Sequence, residues 1–286
     1  MPRLLAVGHV TWDWLRDRQA LGGSVSYAAL AAQKLGWDVG ILTAAGADFD
    51  AARDLPGVEV FRSPSPKTTQ FTNFNAADGT RRQVLSSRAG DIDMGCLPDS
   101  WRDPEVLFLA PVVGELPGGM AAAFEATVVG AGAQGWLRAF DADGNVTARE
   151  WPDAGKDLAG VHVLILSQHD LPRAPERARE FLGFVPIVAL TRGWQGLSLY
   201  TRDGVQEIPS LPREETDPTG AGDVFAAALL VGYHETSDVA EAAAFAACAA
   251  SCAVEGVGAS SLGDREEVMR RLALRERLIE EGEWDE

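Results

Sequence analysis

The chain has 286 residues, 46% of them apolar, with 42 acidic against 25 basic side chains and a net charge of −17. That is enough apolar material for one large α/β domain or two small ones. The acidic balance argues against nucleic acid and anionic membranes as partners, since both demand a basic footprint, but leaves room for a small phosphate ligand.

Taken in order, Leu4 to Gly8 reads as a buried strand rather than a secretory leader. Gly22-Gly23-Ser24 then opens a helix running through Tyr27 to Leu35 and closed by Gly36, and Asp38 to Thr43 is the next strand. Strand, helix, strand is the start of a parallel sheet. Between about residues 58 and 88 the character changes to short strands, Val58–Phe61, Thr68–Phe74 and Arg81–Leu85, with Asp78-Gly79 as a hairpin turn. A small antiparallel insertion there predicts a lid. The α/β rhythm resumes with strands at Val106–Leu109, Ala126–Val129, Val161–Leu166 and Pro186–Leu190, and a hairpin around Asp203-Gly204. Thr236-Ser237-Asp238 caps an alanine-rich helix from Val239 to about Glu255, and a last helix from about Arg265 runs into a charged, solvated tail. No apolar run reaches membrane-spanning length. Three cysteines make no disulfide framework, which points to a reducing cytoplasm; Cys248 and Cys252, four residues apart on a helix, read as small core residues.

Two stretches have the spacing of phosphate-binding loops. Gly130-Ala131-Gly132-Ala133-Gln134-Gly135 fits the dinucleotide pattern G-x-G-x-x-G and follows a strand, with Asp153 and Asp157 about 20 residues on. Only Trp136 to Phe140 come before Asp143-Gly144-Asn145 breaks the chain, too short for the helix that supports a pyrophosphate. An NAD-dependent oxidoreductase using Gly130–Gly135 is therefore the runner-up. The second stretch is Asp217-Pro218-Thr219-Gly220-Ala221-Gly222-Asp223, leading into the helical Val224 to Leu230. Glycines at a helix start let a ligand approach amides that lack intrahelical acceptors, at the positive end of the helix dipole. A carboxylate beside such an anion site suits a base next to a phosphoryl group; the bland alternative is an acidic residue favoured in a first helical turn.

The second stretch resembles the signature of the ribokinase-like (PfkB) carbohydrate kinases, and other stations come in that family's order: Gly8…Asp13, Gly22-Gly23, Thr191-Arg192-Gly193…Gly196 and Phe245-Ala246-Ala247…Gly258-Ala259. The resemblance implies a single three-layer α/β/α sandwich over residues 1–286, with a mostly parallel Rossmann-like sheet and a β-lid from about 10–20 and 58–88. It implies Asp223 as general base, with Gly220, Ala221 and Gly222 as an anion hole. Asp13, Gly22, Gly23, Gln134 and Arg138 would serve the substrate, and Thr191, Gly193, Gly196, Thr219 and Gly258 the nucleotide. It implies ATP and Mg²⁺, with Asp170 reaching the metal through water, and a monovalent cation such as K⁺ at the Asp217 loop. A monomer or a homodimer formed through the lid fits the family.

Two departures stand out. Where the family often has Asn-x-x-Glu, this chain reads Ser167-Gln168-His169-Asp170, and its Asp-x-Asn-x-Arg station reads Gly132 to Arg138, with Gln134 and Arg138 the surviving polar groups; Ala247 also replaces an asparagine common in ribokinases. These speak against ribokinase itself and motivate a further rival, a non-catalytic sugar- or nucleotide-binding relative. Gly8-His9…Asp13, Lys67-Thr68-Thr69 and Ala133 to Arg138 are most similar to inositol kinases, so a polyol or sugar, inositol first, is the expected substrate.

Overall fold

The first strand shows how the sandwich is laid down. In β1 (Arg3–Val7) Leu4 and Ala6 enter one apolar core while Leu5 and Val7 enter another. A strand with two buried faces reads as an unbroken apolar run. The computed structural model describes residues 1–15, 18–75 and 81–282. Its main sheet joins β1 to β4 (Asp38–Ala45), β5 (Glu59–Pro64), β8 (Val106–Leu109), β9 (Val128–Gly132), β12 (Val163–Ser167), β13 (Ile187–Thr191), β14 (Leu197–Thr201) and β15 (Gly204–Ile208). The order is β15-β14-β13-β12-β9-β8-β1-β4-β5, every pair parallel except β13–β14 and β14–β15 at one edge, where β14 alone is reversed.

Helices cover both faces. On one lie α1 (Ser24–Lys34), α5 (Ala221–Thr236), α6 (Val239–Ala253) and α7 (Arg265–Glu281). The other is filled by α3 (Ala154–Asp157), α4 (Ala174–Phe181) and a stack of Trp136 on Trp151 with centroids 5.0 Å apart. A single turn, α2 (Ala51–Asp54), is capped by Asp50. Asp238 caps α6 by accepting from the amides of Ala240 and Glu241. Cys248 and Cys252 are free thiols inside α6, and burial pushes them up to about 12 and about 11, so they behave as packing residues.

The lid is a four-stranded sheet of β2 (Thr11–Leu15), β3 (Arg18–Gly22), β6 (Thr69–Asn75) and β7 (Arg81–Ser87), in the order β3-β2-β6-β7. The insertion pairs β6 with β7 antiparallel, as expected, while β2 joins β6 in parallel. One expectation for the lid needs correcting. The stretch Val58–Phe61 is not part of it: β5 pairs with β4 at the edge of the main sheet, so the second lid segment begins near Thr69. The Asp78-Gly79 turn and the end of the charged tail lie outside the described residues.

The dinucleotide-like glycines have packing reasons. A Cβ on Gly130 would lie 2.4 Å from Leu230 of α5, and one on Gly135 would lie 2.3 Å from the Pro111 backbone. Gly130 and Gly132 sit within β9, and the chain beyond Gly135 forms a hairpin, β10 (Arg138–Phe140) with β11 (Val146–Ala148), not a helix. The segment therefore lacks the helix N-terminus that a pyrophosphate needs, which overturns the NAD reading.

Candidate active site

A cavity of about 1170 Å³ opens between the lid and the ends of β12 and β13. Period-two alternation in β2 turns Thr11 and Asp13 onto it while Trp12 packs into the core. Asp13 is 9% exposed and accepts from the Thr11 hydroxyl at 3.2 Å. Opposite stands the start of α5, where Gly220 adopts a left-handed φ of 82° as N-cap. That conformation suits glycine, and the space does too: a Cβ there would meet the Tyr27 ring at 2.3 Å. Asp223 comes next, in the first turn. Its side chain is half-buried, its open side facing the cavity.

Burial is the main influence on Asp223 and raises its carboxyl from 3.8 to about 6, against a hydrogen bond from Ser24 and the pull of Arg138. Asp170 and Asp13 push the same way as burial. The four charged groups therefore share one field. Asp170 is itself raised, chiefly by burial, although its carboxylate accepts from the Ser167 amide at 2.7 Å. It does not cap α4, whose N-cap is Arg173. Arg138 donates to the Val112 carbonyl at 3.4 Å and lies 5.6 Å over the Phe71 ring.

The backbone at the helix start is partly committed. The Ala221 amide donates to the Pro218 carbonyl at 3.2 Å and the Asp223 amide to Gly220 at 3.0 Å. Of the three amides expected to form an anion hole, those of Gly220 and Gly222 have no acceptor among the described residues. A Cβ on Gly222 would meet nothing within 4 Å, so the space beside it is open. Gly23 and Ser24 at the start of α1 border the same cavity, so two helix N-termini converge there.

Every residue expected from sequence lines the cavity except Gly22 and Gly258. Gly22 instead underlies Asp13, whose Oδ2 lies 2.6 Å from where its Cβ would be. Gly258 donates its amide to Asp217 at 3.1 Å, and the other Asp217 oxygen accepts from the Thr219 amide at 3.0 Å. Asp217 thus ties the loop before α5 to the loop after α6. Away from the lid the cavity becomes an apolar slot between Leu197, Leu211, Phe225, Ala247, Ala250 and Val254, with Arg213 and Trp194 beside it. Sequence reasoning missed Ser24, Tyr27 and Gln83. Ser24 is the one with a local signal, a hydroxyl in the first turn of a helix opened by two glycines.

Residues 135–265 match the pfkB family carbohydrate kinase pattern. That span, a little under half of the chain, is a PfkB-family carbohydrate kinase domain. A cytidine kinase of Thermococcus kodakarensis is 25% identical over 80% of this chain and 88% of its own. An ATP-dependent ribose-1-phosphate kinase of Halopiger xanaduensis is 27% identical over 87% and 91%. Among solved structures, a pyrophosphate-dependent ribokinase-family kinase complexed with a pyrophosphate analogue and myo-inositol superposes with a TM-score of 0.75 at 23% identity, covering 94% of this chain and 99% of that one. Arabidopsis thaliana ribokinase with ribose and ATP gives 0.76 at 21%, over 95% and 98%. The fold is ribokinase-like, and the chain is a phosphotransferase of the class that phosphorylates sugars or nucleosides. Among the described residues no helix of this kinase is long and apolar enough to cross a membrane.

Proposed function

We propose that this kinase transfers the γ-phosphoryl group of ATP to a hydroxyl of a small polyol or sugar, with myo-inositol the first acceptor to try. The observation that carries this is the carboxyl of Asp223, raised to about 6 beside two unengaged amides at a helix start and facing Asp13 across the cavity. Phosphoryl transfer is mostly positioning and charge stabilisation, which is what fixed donors at a helix N-terminus supply.

Asp13 would accept hydrogen bonds from acceptor hydroxyls, and Gln134 and Arg138 would fix the acceptor's orientation. Asp223 would take the proton from the hydroxyl as its oxygen bonds to the γ-phosphorus and the bond to the β-phosphate oxygen breaks, leaving ADP. The Gly220 and Gly222 amides would hold the transferring group's oxygens. The apolar slot beyond Thr219 would take the adenine, with Thr191, Gly193 and Gly196 at its edge. Pyrophosphate has no apolar part to fill such a slot, which favours the nucleotide as donor.

Magnesium keeps much of its water and rests largely on phosphate oxygens. The oxygen-bearing, part-buried Asp170 fits an outer position toward such an ion, which when bound draws negative charge from the phosphates. A nucleoside acceptor is the second reading, favoured by relatives named as nucleoside kinases, one of them 23% identical over 94% of both chains, from Methanothermobacter thermautotrophicus. Turnover of myo-inositol, ribose, ribose 1-phosphate and cytidine with ATP or pyrophosphate, in potassium and in sodium salts, decides between them. ADP release with myo-inositol is the expected result. Turnover confined to cytidine would replace the acceptor, and turnover confined to pyrophosphate would replace the donor.

A further inference from the structure

The chain passes between the sandwich and the lid four times: after β1, after β3, between β5 and β6, and after β7. All four passages meet at one residue, His9, which is 0% exposed: two at its ring and one at its backbone. His9 itself lies in the first passage. Its Nδ1 is 2.9 Å from the hydroxyl of Thr69, where β6 begins, and its Nε2 is 2.9 Å from the carbonyl of Gly90, just after β7. In the remaining passage a Cβ on Gly23 would come within 2.6 Å of the His9 carbonyl, so that backbone closes directly on it.

The partners set the hydrogen-bond roles. A carbonyl only accepts, so Nε2 carries the hydrogen; burial favours the neutral ring, which leaves Nδ1 bare to accept from the Thr69 hydroxyl, whose oxygen takes the Ala89 amide at 2.9 Å on a lone pair. The imidazole is a neutral, fully used tautomer, and burial, its largest influence, lowers its pKa against the pull of Glu115. Glu115, 7% exposed, completes the joint. Its carboxylate accepts from the His9 amide at 2.8 Å and from the amides of Val112 and Val113. Val112 lines the cavity and accepts from Arg138. One connected set of hydrogen bonds thus links the lid's root to the residues facing the acceptor.

We infer that His9, with Thr69 and Glu115, is a hinge pin that sets the height of the lid over α5 and so places Asp13 against the acceptor: these are positioning residues, not catalytic ones. This rests on the reading that Asp13 binds the acceptor. None of the three lines the cavity, so their effect must pass through β2 and the Val112 loop.

The discriminating variants are Thr69→Val, which keeps the shape and removes the hydroxyl, and Thr69→Ser, which keeps the hydroxyl. With ATP and myo-inositol, or the acceptor that replaces it in the panel, Thr69→Val removes both hydrogen bonds of that hydroxyl and should raise the acceptor KM about five- to tenfold, the part of their loss that reaches the acceptor. The ATP KM should stay within twofold and Thr69→Ser should restore the wild-type value. His9→Gln can keep an N–H near the Nε2 position for Gly90 but has no acceptor at the Nδ1 position for Thr69, and should reproduce the split should Thr69→Val fail to fold. An unchanged acceptor KM, or acceptor and ATP KM rising together, would overturn the inference. Asp13→Asn separates this from the underlying reading. If it leaves the acceptor KM unchanged, Asp13 does not bind the acceptor; if it raises that KM while Thr69→Val does not, the hinge pin alone is wrong.

Discussion

Replacing Asp223 by asparagine is expected to lower kcat by about 10²–10⁴-fold, the usual loss when a positioned base is removed, while making the protein harder to unfold. Both effects come from one cause. The carboxyl sits where burial favours its neutral form, raising it from 3.8 to about 6. Above pH 6 the folded protein must carry that charge in a poorly solvated place beside Asp170 and Asp13. At about 1.4 kcal/mol per pH unit, discounted because the carboxyl stays open to cavity water, the burden is about 1–3 kcal/mol. Asparagine removes the charge and keeps an acceptor for the Ser24 hydroxyl.

The raised value fixes the sign with pH. In the wild type the folded state binds this proton more tightly than the unfolded state, so the penalty is full above about 6 and disappears by 3.8. The stabilisation of Asp223→Asn should shrink over that same window. In parallel, kcat/KM of the wild type should fall as pH drops through about 6, and the residual activity of the variant should not. Thermal unfolding and initial rates from about pH 4 to 8 test both. A variant as active as the wild type would remove Asp223 from the chemistry, and one less stable at neutral pH would show that burial is not what raises it.

Gly220→Ala is the second large effect. The backbone there has φ of 82°, and the added Cβ would lie 2.3 Å from the Tyr27 ring. Left-handed strain and overpacking together should cost about 2–4 kcal/mol of stability. The helix start must also move away from Tyr27, and a shift of about 1 Å in a reacting group is worth about 10²-fold in rate. In a double-mutant cycle Gly220→Ala should cost less in a Tyr27→Ala background than in the wild type, the difference being the steric part and the remainder the strain. Differential scanning calorimetry on the single and double variants, with kcat/KM beside it, is the test. Wild-type melting and wild-type rate in Gly220→Ala would mean that the glycine is not needed for close approach.

The sequence disclosed best what is local in chain and period. The parallel strands announce themselves as short apolar runs, and the start of α5 does so because two glycines and an aspartate are adjacent. It disclosed poorly what depends on pairing at a distance. Val58 to Phe61 alternates in a way that fits a lid or a sheet edge equally, and only pairing with β4 decides. The β10–β11 hairpin was hidden behind Asp143-Gly144-Asn145, which looks like a mere break; the Gly144 carbonyl in fact accepts from Leu85 of β7 at 2.8 Å and fastens the lid's edge. Ala221 looked like an anion-hole donor until the turn from Pro218 claimed its amide. His9 and Glu115 are 106 residues apart, and no periodicity links them.

α5 is buried from Val224 to Gly232, pressed between β9, α1 and α6, so Asp223 stands at the tip of a tightly held element. Amides in that stretch should exchange with solvent only through global unfolding, whereas the lid sheet, resting on fewer apolar contacts, should open far more often. The division would be mechanical under the proposed function: Asp223 stands on an anvil that does not yield, and the acceptor would be brought down onto it by the sheet that opens more readily.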